Sequence, residues 1–265
     1  MSHSRSVFIT GAAAGIGRAT ALAFATRGYT VGAYDIDETG LATLAHEIQR
    51  RHGTVVNGHL DVTDADEMTM RLKEFTTAAG GRLDVMINNA GILYAGRFED
   101  LALTAQHKQI DINVKGLVNG THAAFPYLRT TPDSTVVNLA SASAIYGQAD
   151  LATYSATKFF VRGLTEALDI EWSAHGIRVI AMWPLFVQTA MTDHISTGTT
   201  QALGVNLTAQ EVADGILAAV AGSRLTRTLH QVHYPVGTQA SVLTLSSRFL
   251  PAWLTRLISK QLAKH

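Results

Sequence analysis

The chain has 265 residues, 47% of them hydrophobic and 16% charged, and it contains no cysteine. Such a composition supplies a sizeable core and excludes a disordered chain, and the missing thiols exclude disulfides, thiolate metal sites and cysteine nucleophiles. The 21 basic residues balance the 21 acidic ones, so no global field draws the protein to nucleic acid or an anionic membrane, and no nucleic-acid partner is expected.

A neutral, weakly charged surface favours association of like copies, so a homodimer or homotetramer is expected. Residues 1–6 lack a signal-type apolar region, and no window offers 18 uninterrupted apolar residues. The expectation is a cytoplasmic protein.

Short β-branched or aliphatic runs alternate with helical stretches, which predicts βαβ units feeding a parallel sheet. Strand Ser6–Thr10 leads to a helix over Ile16–Arg27, Thr30–Tyr34 to Glu38–Arg51, Thr54–His59 to Ala65–Ala78, and Val85–Asn88 to one long helix over Thr104–Leu128. Strand Ser134–Leu139 precedes a helix over Tyr154–His175, followed by strand Arg178–Met182, helix Ala209–Val220 and a last strand at Leu229–Tyr234. The first six strands are apolar on both faces and read as central strands covered by helices.

Thr208 with Glu211 reads as an N-cap, and Gly28, Gly53 and Gly176 stand where left-handed C-terminal residues belong. Right-handed crossovers then stack helices on both faces, giving a three-layer α/β/α fold with a doubly wound parallel sheet in a single domain over 1–265.

Two segments break this rhythm. Residues 185–207 form a long aperiodic connection of the kind that serves as a substrate lid. Residues 246–265 place Leu250, Trp253, Leu254, Leu257, Ile258 and Leu262 at helical spacing. This tail needs an apolar partner, either the pocket or a neighbouring subunit, with an interfacial membrane anchor as the alternative.

The first strand runs into Thr10-Gly11-Ala12-Ala13-Ala14-Gly15-Ile16-Gly17 and then a helix. Glycines let a pyrophosphate approach the backbone, and the helix N-terminus offers N–H donors and a positive dipole. The second strand ends near Asp35, about 20 residues beyond the turn, where a carboxylate accepts hydrogen bonds from ribose hydroxyls and repels a 2′-phosphate. Neither Ala14 nor Ile36 is basic, so NAD is favoured over NADP as cofactor.

Tyr154-Ser155-Ala156-Thr157-Lys158 puts a phenol and an ammonium at i and i+4 on one helix face. A phenol is a poor acid or base at neutral pH, and an adjacent cation favours its phenolate. Taken alone, such a pair is an ordinary helix-surface contact.

Other motifs accompany it in order. Leu60-Asp61-Val62 follows the third strand, Asn88-Asn89-Ala90-Gly91 ends the fourth, Asn113 lies on the long helix, and Ser141 precedes Tyr154 by 13 residues. With these motifs the chain resembles the short-chain dehydrogenase/reductase family from Ser6 to about Thr189, and a Rossmann-like fold is implied.

By that resemblance Tyr154 exchanges a proton with the substrate oxygen, Ser141 holds that oxygen, and Lys158 binds the nicotinamide ribose and lowers the Tyr154 pKa. Asn113 completes a proton relay through water. The resemblance further places Gly11, Ala14, Gly15, Ile16, Gly17, Asp35, Ile36, Asp61, Val62, Asn89, Ala90, Gly91, Pro184, Val187 and Thr189 at the cofactor. Asp61 and Val62 flank the adenine, Asn89 supports the ribose region and Thr189 reaches the carboxamide.

The chain departs from the family pattern at Ala140-Ser141 in place of Ser-Ser, at Pro184-Leu185 in place of Pro-Gly, and in its apolar tail. Ile92, Leu93, Tyr94, Ala144, Ile145, Tyr146, Leu151, Leu185, Phe186 and Met191 fall on segments that the resemblance places near the substrate. A hydrophobic alcohol or ketone is the expected substrate, with Arg97 and His194 keeping a charged one open. His230 and His233, alternating on a strand, point to opposite faces, and no metal site is expected. The reading of another class is a catalytically quiet NAD-binding sensor or scaffold.

Overall fold

Ser6–Thr10 (β1) is wholly buried and pairs in parallel with Thr30–Asp35 (β2) on one side and Val85–Asn88 (β4) on the other. The computed structural model describes residues 4–192, 204–222 and 230–247, together with Thr197, Pro251, Trp253, Arg256, Leu257 and Lys260. Beyond β2 lies Thr54–His59 (β3), and beyond β4 lie Thr135–Leu139 (β5) and Arg178–Pro184 (β6). Val187–Gln188 (β7) and Leu207–Thr208 (β8) form a separate parallel pair, and His233–Val236 (β9) adds to β6. The seven-stranded sheet runs β3-β2-β1-β4-β5-β6-β9 with every pairing parallel.

The order reverses between β1 and β4, so the loops leaving these strands diverge and open a crevice at their carboxyl ends. Side chains alternate across the sheet. Val7 and Ile9 pack with Phe24 of α1 (Gly15–Ala25), Leu44 of α2 (Glu38–Arg50) and Ile216 of α7 (Ala209–Ala221). Phe8 faces the other way, against Leu72 and Phe75 of α3 (Ala65–Ala78) and Leu128 of α5 (Leu117–Leu128). The Phe8 ring stacks on Tyr34 at 4.4 Å and meets Phe75 edge-on at 5.6 Å. The three-layer doubly wound fold expected from the sequence is the fold observed.

Between α3 and α5 stands α4 (Leu103–Ile110), continued by a π-helical segment, Asp111–Gly116. The expected single helix over Thr104–Leu128 is therefore interrupted, and π-helical turns of this kind are frequent at functional sites. The helix after β5, α6 (Ala152–Trp172), is joined to its strand by a 3₁₀ turn at Ala142–Ala144.

Three further expectations are corrected. β3 is an edge strand paired to β2, with Thr54 and Asn57 exposed; Val55 and Val56 pack on opposite faces of the sheet, so apolarity on both faces goes with a strand that has one neighbour. The left-handed residue after α2 is His52, at φ 59°, while Gly28 and Gly176 take that conformation as expected. Gly53 is needed for space, since a Cβ there would lie 2.7 Å from Ile48 Cγ2. The last strand spans His233–Val236, with residues 230–232 outside it; Leu229 lies outside the described residues.

A helix, α8 (Thr238–Ser247), follows β9; its leucines and valine show no single apolar stripe. The capping box at Thr208 and Glu211 is present, with both hydrogen bonds made. Residues 193–196 and 198–203 of the expected lid, and most of the expected tail, lie outside the described residues. Of the tail, Trp253 and Leu257 are exposed. Among the described residues no helix is long and apolar enough to cross a membrane.

Candidate active site

β1 delivers Thr10 to a turn that glycine alone can make. Gly11 has φ 66°, and a Cβ on it would lie 2.8 Å from Ala90 Cα. A Cβ on Gly17 would lie 2.0 Å from the Gly11 carbonyl oxygen. The loop after β4 locks this turn, because Asn89 Nδ2 donates to the carbonyls of Thr10 and Gly11, both at 2.9 Å. In return the N–H groups of Asn89 and Ala90 donate to Thr10 Oγ1, each at 3.1 Å. Asn89 thus serves the turn directly. Thr10, which sequence reading did not single out, is its partner, and its one signal was a hydroxyl on the last residue of the strand.

Ala14 precedes α1 without any side-chain cap, and the first turn of α1 holds no acidic residue. By contrast α2, α3 and α7 are capped by Asp37, Asp64 and Thr208, each with an acid in its first turn. The first N–H groups of α1 are therefore open to an anion. Thr189 stands over them, with Cγ2 3.2 Å from where a Gly15 Cβ would be, and Ile16 and Val187 join the core beneath.

Asp35 closes β2 with its carboxylate turned to the same turn. Its Oδ2 accepts from Ala13 N–H at 3.0 Å and its Oδ1 from Asp37 N–H at 3.1 Å. Ile36 beside it is exposed. Arg18 on α1 is directed away to Glu47, at 2.8 Å, and to the Gly40 carbonyl. Asp61 holds Thr63 through its N–H and hydroxyl, at 2.9 and 2.8 Å. Val62 packs against Gly116, and its carbonyl accepts from Asn119 at 2.9 Å. Asp61 and Thr63 border a cleft of about 310 Å³ shared with His107, Lys108 and Asp111 of α4 and its extension.

At the opposite side of the crevice, α6 sets Tyr154 and Lys158 one turn apart. Lys158 Nζ lies 5.5 Å from the centre of the Tyr154 ring and donates to the Leu139 carbonyl at 2.8 Å. Ser141 caps the 3₁₀ turn, its Oγ accepting from Ser143 N–H at 3.1 Å, and it is near enough to the Tyr154 hydroxyl to favour the phenolate. Burial pushes Tyr154 up to about 12, with the Ser141 hydroxyl acting in the opposite sense. Burial likewise lowers Lys158 to about 8.

Asn113, in the π-helical segment, ties the loop after β4 to α6. It exchanges two bonds with the Ile92 backbone, at 2.8 and 2.9 Å, and donates to Thr157 Oγ1 at 3.2 Å. Thr157 in turn donates to the Tyr154 carbonyl at 2.7 Å. Both amide donors of Asn113 are thus occupied, which leaves its oxygen's remaining lone pair and its main chain for any water relay. The Cα of Gly91 faces Asn113 Oδ1, 3.2 Å from where a Cβ would be.

Leu185 and Phe186, which follow Pro184 at the end of β6, pack with Ala142, Leu151 and Tyr154 in one apolar cluster. Leu93, Ile145, Leu207 and Leu243 of α8 join it. The side chain that stands where the family has glycine therefore lies in the cluster that encloses Tyr154.

Not every expected lining residue joins them. Ala144 belongs to a separate cluster with Trp183, and Met191 and Arg97 are exposed. Tyr94 is held through its N–H by Gln109 at 2.7 Å. Tyr146 has a hydroxyl buried without a partner. His194 lies outside the described residues. His233 pairs with Glu166 at 2.7 Å and stacks on Trp183 at 4.3 Å, and His230 precedes the strand. Among the described residues no group of three histidines or carboxylates could hold a metal.

Comparison with known proteins identifies the family. A family model described as short chain dehydrogenase matches residues 5–200. A 3-oxoacyl-(acyl-carrier-protein) reductase of Thermotoga maritima is 37% identical over 187 residues, which covers 71% of this chain and 76% of that protein. A 3-alpha-(or 20-beta)-hydroxysteroid dehydrogenase of Mycobacterium bovis is 36% identical over 188 residues, covering 71% of this chain and 70% of that one.

Among solved structures, a 3-ketoacyl-(acyl-carrier-protein) reductase of Brucella melitensis complexed with NADH superposes with a TM-score of 0.78 at 26% identity, over 88% of this chain and 96% of that one. The chain belongs to the short-chain dehydrogenase/reductase family and is an oxidoreductase acting on CH–OH and keto groups.

Proposed function

We propose that the enzyme moves a hydride between NAD(H) and a hydrophobic secondary alcohol or ketone, with Tyr154 as the general acid and base. The observation that carries this reading is the approach of the Ser141 hydroxyl and the Lys158 ammonium to Tyr154, which itself lies in the apolar cluster of Leu185 and Phe186.

The residues at the crevice fit a dinucleotide. The uncapped first turn of α1 and the close-packed glycines at Gly11, Gly15 and Gly17 suit a pyrophosphate. The Asp35 carboxylate keeps lone pairs for ribose hydroxyls, and with Arg18 committed to Glu47 it would repel a 2′-phosphate, which favours NAD over NADP. With a dinucleotide bound, Asp61 and Val62 would flank the adenine, and Pro184, Val187 and Thr189 would border the nicotinamide. When bound, the nicotinamide supplies or takes the hydride at the carbinol carbon.

The chain's own residues handle the oxygen. Ser141 donates a hydrogen bond to it and so fixes the carbonyl beside Tyr154. In reduction Tyr154 gives its phenolic proton to that oxygen; in oxidation it takes the proton back. A neutral phenol is what burial enforces, so the resting group is ready as an acid, and the charge of Lys158 supports the phenolate once the proton leaves. Leu185, Phe186, Leu151 and Leu93 exclude water and present an apolar wall, which suits the acyl and steroid skeletons named for the two relatives.

Exposed Phe159 and Phe160 on α6 and Val118 on α5 support self-association as a dimer or tetramer.

The test is steady-state turnover of aliphatic, aromatic and steroid alcohols and ketones with NADH and NADPH, with Tyr154→Phe as control. Turnover that prefers NAD(H) and falls at least ~1000-fold in the variant, with NADH still bound, supports the reading. NADH binding without turnover in the wild type would instead make the protein a quiet NAD sensor.

A further inference from the structure

We infer that Ser143 is a positioning residue for Ser141, the two hydroxyls forming a short relay that ends on the substrate oxygen. This rests on the reading of the Ser141, Tyr154 and Lys158 site given above. Ser143 is 2% exposed and holds Ser141 twice. Its backbone N–H donates to Ser141 Oγ at 3.1 Å, and the two hydroxyl oxygens lie 3.2 Å apart. Its neighbours in the 3₁₀ turn, Ala142 and Ala144, are buried at 1% and 0%. A plain methyl therefore satisfies the packing on either side, and the extra hydroxyl at position 143 meets Ser141.

A serine hydroxyl has one proton to give and two lone pairs to offer. With no substrate, Ser141 donates to Ser143 Oγ. When Ser141 turns its proton to the substrate oxygen, the same 3.2 Å contact reverses. Ser143 then donates to the lone pair that Ser141 has freed, while the Ser143 N–H keeps Ser141 Oγ in place. Chained hydrogen bonds polarise one another, so Ser141 becomes the better donor to the substrate oxygen as it gains negative charge or, once the proton has left Tyr154, to the phenolate in its place. No covalent bond is made or broken in this step; two hydroxyl protons rotate.

The experiment compares Ser143→Ala and Ser143→Thr with the wild type, using a ketone that the wild type turns over and Tyr154→Phe as the reference for a dead site. The alanine variant keeps the backbone N–H. Its kcat falls about fivefold to tenfold, the worth of one hydrogen bond at the transition state, with KM and NADH binding unchanged. The basic limb of its kcat–pH profile moves up by roughly half a unit as the phenolate loses support. Ser143→Thr restores most of kcat.

A wild-type kcat and pH profile in Ser143→Ala would overturn the relay. So would a loss of kcat accompanied by lost NADH binding and a lowered melting temperature, since that pattern belongs to packing. If Tyr154→Phe itself keeps turnover, the failure lies with the site reading and not with Ser143.

Discussion

The Lys158 ammonium sits 5.5 Å from the centre of the Tyr154 ring while donating a 2.8 Å hydrogen bond to the Leu139 carbonyl at the end of β5. Strand and helix thus fix the two groups relative to each other before any substrate arrives. Burial drives them in opposite directions, Tyr154 to about 12 and Lys158 to about 8, because each is pressed towards its neutral form. The pair is held ready for proton transfer at a cost in folding stability, and that cost is measurable.

Lys158→Met is expected to stabilise the fold at pH 7 while abolishing turnover. The unfolded chain keeps the lysine proton up to its ordinary value of 10.5, whereas the folded chain releases it near 8. The folded state therefore binds fewer protons between these values, and wild-type stability rises with pH across that window. Below it the buried ammonium costs at most about 3 kcal/mol. The orphaned Leu139 carbonyl returns about 1 of this, leaving a net gain of about 2 kcal/mol in the variant. Denaturant unfolding at pH 7 and pH 10 should show most of that advantage gone at the higher pH; an equal difference at both would refute the linkage.

Asp35→Ser should shift the coenzyme preference. The carboxylate faces the turn and accepts from Ala13 N–H at 3.0 Å, close enough to repel a phosphate on the ribose. Its loss should weaken NADH about tenfold and strengthen NADPH by a similar factor, the scale of one charged hydrogen bond. Fluorescence titration of both coenzymes measures this directly, and a wild-type protein that binds NADPH as tightly as NADH would remove the role given to Asp35.

The βαβ framework was legible because strands such as Val85–Asn88 carry short apolar runs and the helix Ala209–Ala221 opens on a readable cap at Thr208 and Glu211. The Tyr154 and Lys158 pair was legible because both lie on one helix. What sequence could not supply were contacts between distant segments. Asn89 clasping the Thr10–Gly11 turn joins residues 78 or 79 apart, and no local pattern encodes that. The break at Asp111–Gly116 was hidden because its residues continue the helical period. The edge position of β3 was missed because the apolarity of a strand does not say how many neighbours it has.

Gly17→Ala tests the close packing of the turn. A Cβ there would fall 2.0 Å from the Gly11 carbonyl oxygen and 2.6 Å from Asn89 Nδ2; both belong to the clasp, so neither can move without opening it. The variant should lose roughly 3 kcal/mol or more of stability together with measurable NADH binding. Calorimetry and coenzyme titration check both effects, and a variant that binds NADH normally would show that the turn has slack.

Leu185→Gly restores the residue usual in the family and tests what this chain gains from the change. Leu185 is 9% exposed and belongs to the apolar cluster that encloses Tyr154. Removing it should cost about 3 kcal/mol from lost burial, with about 1 more from the freedom of glycine in the unfolded chain.

The opened space admits water to the phenol, so the Tyr154 pKa should drop from about 12 towards its ordinary value and the basic limb of the pH–rate profile should move down with it. Bulky ketones should then bind better, with KM lowered about fivefold, while small ketones lose the apolar contact and bind more weakly. Leu185→Ala provides the same comparison with a milder stability loss if the glycine variant folds poorly. Should KM for bulky and small ketones change by the same factor in both variants, Leu185 does not select substrate size and its packing on Tyr154 serves stability alone.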